Sequence, residues 1–201
     1  FSTMKFVTKL SLTLASAGFV VLAAAAEAQA INLTYENSIG EPGFGPGQLF
    51  VPQGVAQSNA DGNIYVSNGR GNDPSPGWAG FLPNVGNRVD VFSPDGEYLR
   101  AIGTGVQGKG AGIDEPGDLK FDPISGNLYV ADVFNSEIDV YNPSTGDFVT
   151  SFGSFSGQGP GDIFFGPGGI DFDQQGNLHV TDFSADEIKV YGRDGSLVKT
   201  Y

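Results

Sequence analysis

Apolar residues along this chain alternate with polar ones in short runs, and between residues 49 and 201 the runs recur in sets of four, three times over in the same order. The first run of each set follows a proline and covers residues 54–57, 118–121 and 169–172. The second reads Gly62-Asn63-Ile64-Tyr65-Val66-Ser67-Asn68, then Gly126-Asn127-Leu128-Tyr129-Val130-Ala131-Asp132, then Gly176-Asn177-Leu178-His179-Val180-Thr181-Asp182. The third alternates with period two: Val89 and Val91 around Asp90, Ile138 and Val140 around Asp139, Ile188 and Val190 around Lys189. The fourth covers residues 98–103, 148–153 and 197–201. Period two predicts strands, and glycines in the short joins supply the positive φ that tight hairpins need. The second run is apolar on both faces, as in a strand covered on both sides, whereas the third turns one face to a neighbour and keeps the other polar.

Four-stranded units repeated in series cannot each bury an apolar face alone, so they stack. The pattern predicts an all-β protein, a β-propeller of four-stranded antiparallel blades at about 49–103, 113–153 and 165–201, preceded by one outer strand over 33–40. Three blades are too few for the usual ring of four to eight, so the ring is expected to be completed either by sequence beyond Tyr201 or by self-association with another chain.

Residues 1–30 have a different character. Lys5 and Lys9 precede a hydrophobic stretch over 10–26 and an Ala28-Gln29-Ala30 exit, the layout of a secretory signal peptide. The domain proper is then 31–201, and the expected location is secreted or periplasmic, with no membrane anchor. The chain carries a formal charge of −13, of which the leader's Lys5, Lys9 and Glu27 contribute +1, leaving −14 on residues 31–201. Such an acidic surface argues against nucleic acid as a partner. There is no cysteine, so stability must come from packed sheets.

The Pro-x-Gly, Gly-Asn-(Ile/Leu)-Tyr-Val-x-(Asp/Asn), x-(Ile/Val)-x-Val-(Phe/Tyr) and closing Phe-Gly elements resemble the NHL repeat over about residues 49–201. The resemblance implies a six-bladed propeller of a family that binds proteins, peptides or nucleic acid, with a minority of related propellers acting as metal-dependent lyases or lactonases. The family usually starts its third strand with a basic residue. Arg88 keeps it, while Glu137 and Glu187 replace it.

Function is expected on one face. The joins between blades are long and Gly-rich, and the connection from Asn68 to Arg88 runs 20 positions where Asp132 to Glu137 and Asp182 to Glu187 run 5. Long loops on a rigid scaffold are where recognition usually sits. Trp78 and Phe81 in that insertion read as a contact surface for a protein, peptide or glycan, or as side chains folded back onto their own blade. Asn68, Arg88, Asp132 and Asp182 are further candidates for ligand binding, and the equivalence of Asn68, Asp132 and Asp182 suggests a repeated cap on the loop backbone.

Catalytic material is sparse. His179 is the sole histidine and occupies the slot of Tyr65 and Tyr129, so it reads as a packed strand residue. No catalytic residue is assigned. Calcium is the metal the composition admits, with Asp118 and Asp171 as candidate ligands near the axis. The leading expectation is therefore a secreted, non-catalytic binding scaffold without a cofactor. The alternative is a calcium-dependent lyase or lactonase-like enzyme.

Overall fold

The computed structural model describes residues 35–72, 81–103, 111–153 and 166–201, with the backbone alone at 70–72 and 81–85. The predicted signal peptide and Trp78 lie outside the described residues. The chain divides into two compact units, Phe1–Glu36 and Asn37–Tyr201, and all that follows concerns the second.

After a short parallel pair, β1 (Glu41–Pro42) with β2 (Gln48–Leu49), come three antiparallel four-stranded meanders. Blade one is β3 (Pro52–Gln57), β4 (Ile64–Asn72), β5 (Phe81–Phe92) and β6 (Tyr98–Ile102). Blade two is β7 (Pro116–Phe121), β8 (Leu128–Asp132), β9 (Glu137–Tyr141) and β10 (Phe148–Phe152). Blade three is β11 (Pro167–Phe172), β12 (Leu178–Asp182), β13 (Glu187–Tyr191) and β14 (Leu197–Thr200). The order of the twelve blade strands is the one the sequence predicts.

The hairpins follow from their turn residues. In the turn after β7, Asp122 accepts the amides of Ile124 and Ser125 while its own N–H bonds to Asn127 O, and Gly126 takes φ +73°. An aspartate at the entry and a glycine in the left-handed region thus close the turn without external help.

Packing between blades makes the core. Tyr65, Val89 and Val91 of blade one bury against Leu119, Leu128, Val130 and Tyr141 of blade two. The same positions of blade two, Tyr129, Ala131, Ile138 and Val140, bury against Ile170, Leu178, Val180 and Tyr191 of blade three. Tyr65 meets Phe121 edge-on at 5.0 Å between ring centroids, and Tyr129 repeats the contact with Phe172 at 5.0 Å. The equivalent flank of blade three, carrying His179, Thr181 and Ile188, has no further blade against it among the described residues, and Ile188 is 42% exposed.

Two expectations need correction, and a third gains detail. Residues 37–40, read as part of an outer strand over 33–40, carry no strand in the structure, since no ladder among the described residues pairs with them. The polar side of the third strand is buried: Asp139 and Lys189 lie on the face turned to the preceding blade, and Asp90 is covered by Arg88 and Asn68. Finally, the long Asn68-to-Arg88 connection is not simply a loop. β4 and β5 continue their ladder beyond the blade through Arg70↔Gly86 and Asn72↔Phe81, so a two-stranded arm extends from blade one.

Candidate functional site

One end of each blade carries the same polar arrangement. The last residue common to the second strands pairs across the ladder with the first blade residue of the third: Asn68 with Arg88, Asp132 with Glu137, Asp182 with Glu187. Two residues further along the third strand, on the same face, stand Asp90, Asp139 and Lys189. Asn68, Asp132 and Asp182 are each fully buried.

These side chains cap the loop backbone. Asn68 accepts from Phe50 N at 2.8 Å and donates to Gln48 O at 2.9 Å, Asp132 accepts from Asp114 N at 3.0 Å, and Asp182 accepts from Ala185 N at 3.3 Å. In blades one and three a basic side chain completes the set. Arg88 Nε donates to Asp90 Oδ1 at 2.8 Å while Nη2 donates to Gly45 O at 2.8 Å, and Asn68 Nδ2 donates to Asp90 Oδ2 at 2.7 Å. Lys189 Nζ lies 2.7 Å from Asp182 Oδ2 and 3.7 Å from Glu187 Oε2.

Blade two departs from its sisters. Asp132, Glu137 and Asp139, all buried, bring one carboxylate oxygen each within 4.8 Å of the others. No lysine or arginine among the described residues pairs with any of them. Asp132 is served by Asp114 N and by Asn135 Nδ2 at 2.7 Å, Glu137 Oε2 by the Ser151 hydroxyl at 3.1 Å, and Asp139 Oδ2 by the Tyr141 hydroxyl at 3.2 Å. Glu137 Oε1 and Asp139 Oδ1 have no partner, and neither has the buried hydroxyl of the adjacent Ser136. Burial pushes the Asp139 carboxyl well above the usual range, with repulsion from Asp132 and Glu137 adding to it; burial likewise raises Asp132. The Tyr141 phenol is raised for the same reasons, burial first and the neighbouring Asp139 second.

The sequence candidates thus scatter. Asn68, Arg88, Asp132 and Asp182 come together only within their own blades. Phe81 begins β5, and its side chain lies outside the described residues, as does Trp78. Asp118 and Asp171 share an open cleft of about 400 Å³ with Lys120, His179, Thr181 and Ile188. There Asp118 accepts the amides of Leu119 (2.9 Å) and of Ile170 in the next blade (3.0 Å), while the exposed Asp171 lies 3.8 Å from Lys120 Nζ. His179 is half-buried, its Nε2 3.4 Å from Asp173 Oδ2. Asp118 therefore ties blade two to blade three.

Glu137 and Asp139 are the residues that sequence reasoning overlooked. Alternation places Asp139 on the polar side of the third strand without saying what covers it, and Glu137 reads only as a substitution for a basic residue. The available signal was the three-residue column read together: Asn-Arg-Asp, Asp-Glu-Asp and Asp-Glu-Lys, of which only the second lacks a cation.

No protein-family model matches the chain, and no curated protein does. Solved structures do. A streptogramin B lyase structure aligns with TM-score 0.55 at 15% identity over 81% of this chain and 43% of its own. The fold is that of a β-propeller. Virginiamycin B lyase from Staphylococcus aureus aligns with TM-score 0.51 at 15% identity, covering 75% of this chain and 40% of that one, and U3-55K with TM-score 0.52 at 14% identity, covering 75% and 38%. This chain spans about two-fifths of the length of these structures. At such identities the likeness concerns architecture alone.

Proposed function

We propose that this chain is an NHL-type propeller acting outside the cytoplasm as a non-catalytic scaffold that binds a protein or peptide partner on its loop face. The supporting observation is the arm of blade one: β4 and β5 run to nine and twelve residues, where the matching strands of blades two and three have five each. Its base is well anchored. Arg88 and Asn68 fasten it to the carbonyls of Gly45 and Gln48, and Asn87 Oδ1 accepts Glu115 N of the next blade's entry at 3.1 Å. A backbone ladder held at its root and continued past the blade, with no third strand paired to it among the described residues, is the geometry of peptide recognition by strand addition at low entropic cost. A glycan is the alternative partner for the same face.

Panning a random dodecamer peptide library on the protein, followed by fluorescence anisotropy on enriched peptides, tests the reading. Deleting 71–85, which leaves the four-residue join of the sister blades, is expected to weaken binding at least tenfold while circular dichroism keeps its β signature. Failure to enrich any peptide, with no signal on a glycan array, would remove the proposal, and undiminished binding by the deletion variant would move the site off the arm.

The second reading, a calcium-dependent lyase or lactonase-like enzyme, draws on the cleft where Asp118, Asp171, Lys120 and His179 meet. Its carboxylates are already engaged by backbone amides and by Lys120. A lactone panel assayed with calcium tests it: turnover that disappears in His179→Ala would favour the enzyme over the scaffold.

A further inference from the structure

We infer that blade two holds a hard divalent cation, of the calcium and magnesium class, between Asp132, Glu137 and Asp139. This site is distinct from the cleft of Asp118 and Asp171 and does not depend on the binding role proposed above.

The three blades provide an internal comparison. In the same slot, blade one supplies the Arg88 guanidinium from the position of Glu137 and blade three the Lys189 ammonium from the position of Asp139, each within 2.8 Å of a buried carboxylate. Blade two places three buried carboxylates there and no basic side chain among the described residues. Three buried carboxylates without a basic partner must take up protons or gather a cation, since the fully ionised cluster is among the costliest arrangements a fold can carry.

The second observation concerns individual atoms. Each of the other four carboxylate oxygens of the cluster has a role: the two of Asp132 accept from Asp114 N and Asn135, and one each of Glu137 and Asp139 from Ser151 and Tyr141. The two that remain, Glu137 Oε1 and Asp139 Oδ1, are buried and unpartnered on residues 4% and 0% exposed. Native structures rarely leave such acceptors unsatisfied without an ion or a water to serve them. All-oxygen, all-carboxylate donors select a hard cation, and oxygens no more than 4.8 Å apart can surround one ion at calcium's roughly 2.3–2.6 Å with slight contraction.

The ion would have a structural task. Asp132 holds Asp114 N, and Asp114 in turn faces Asn87 Nδ2 at 3.5 Å across the blade boundary. A cation on Asp132 would therefore fasten the entry loop of blade two to blade one, the work Arg88 does for the loop before blade one.

The experiment uses the whole chain, stripped with chelator and dialysed at neutral pH. Calorimetric titration with calcium chloride, then with magnesium chloride, is expected to show one saturable site for at least one of the two. Thermal unfolding at a hundredfold excess over Kd should shift upward by roughly 5 °C or more. The informative variant is Asp139→Lys, which gives blade two the Asp-Glu-Lys set of blade three. It should fold, melt higher than the wild type in chelator, and lose both the heat and the cation-dependent shift. Should Asp139→Lys fail to fold, Glu137→Gln serves in its place, with at least tenfold weaker binding expected. Absence of heat and of any shift in the wild type with both metals would overturn the inference, with protons as the occupants of the slot. Heat that persists unchanged in the variants would place the ion elsewhere and overturn it equally.

Discussion

Asp122 shows how a single buried residue joins local and long-range structure. Its carboxylate closes its own turn through Ile124 and Ser125, and receives Arg193 from the outer hairpin of blade three at 2.9 Å. Burial alone would raise its pKa, but the hydrogen bonds from Ser125, Ile124 and Arg193 outweigh it and hold the carboxyl below the usual range. The folded state therefore binds this proton less readily than the unfolded chain does. The stabilisation is complete above the unfolded carboxylate value near 4 and is lost as pH falls through the folded value. Asp122→Ala is expected to lower stability at pH 7 by about 1–3 kcal/mol and to flatten the acid limb of urea stability measured from pH 5 to pH 2. At the same scale, the Asp132, Glu137 and Asp139 set is where the column of polar residues lacks the basic side chain that blades one and three carry.

Among elements, the inner strands are the most tightly constrained. β3 and β7 approach so closely that a Cβ on Gly54 would stand 2.7 Å from Gly117 O and 3.0 Å from the Asp118 Cα. Gly54→Ala should therefore force the two strands apart and cost about 1–3 kcal/mol in a denaturant melt. The corresponding position in blade two is Asp118, whose side chain points onward to the Ile170 amide instead, so the demand for glycine here comes from one inter-strand contact and not from the repeat. The arm of blade one lies at the opposite extreme. Gly86, at φ +72°, would bring any Cβ against Gly69 O, so the two strands approach there in a way that only glycine permits. Removing 71–85 takes away ladder outside the blade, keeps a four-residue join, and should leave the melting temperature within a few degrees of the parent.

For the molecule as a whole, stability rests on two repeated blade-to-blade seams. Leu119, fully buried in the first seam, should cost about 2–5 kcal/mol when cut to alanine, and the loss should appear as one cooperative transition because both neighbouring blades share it. The outermost flanks have no such cover: Val55 on blade one is 66% exposed and Ile188 on blade three 42%. Head-to-tail stacking of a second copy on these flanks is the geometry that self-association would take. The expected outcome is a mass in light scattering that rises with concentration, reduced by Ile188→Lys. A mass independent of concentration would mean that these flanks do not meet in solution.

The repeat, its strand order and its turns were legible in the sequence because period-two alternation and Gly-bearing joins are local signals. Twelve blade strands could be placed from them, as could the capping role of Asn68, Asp132 and Asp182, which shows as a column of equivalent side chains. Burial of the third strand's polar side and the ladder continuing past Asn68 were not legible in that way, since alternation does not say whether a polar face meets water or another blade. The carboxylates of blade two illustrate the division. Their identities are written in the chain, but only the stacking of sheets removes them from water, and that removal turns three ordinary acidic residues into a buried carboxylate cluster with no basic partner among the described residues.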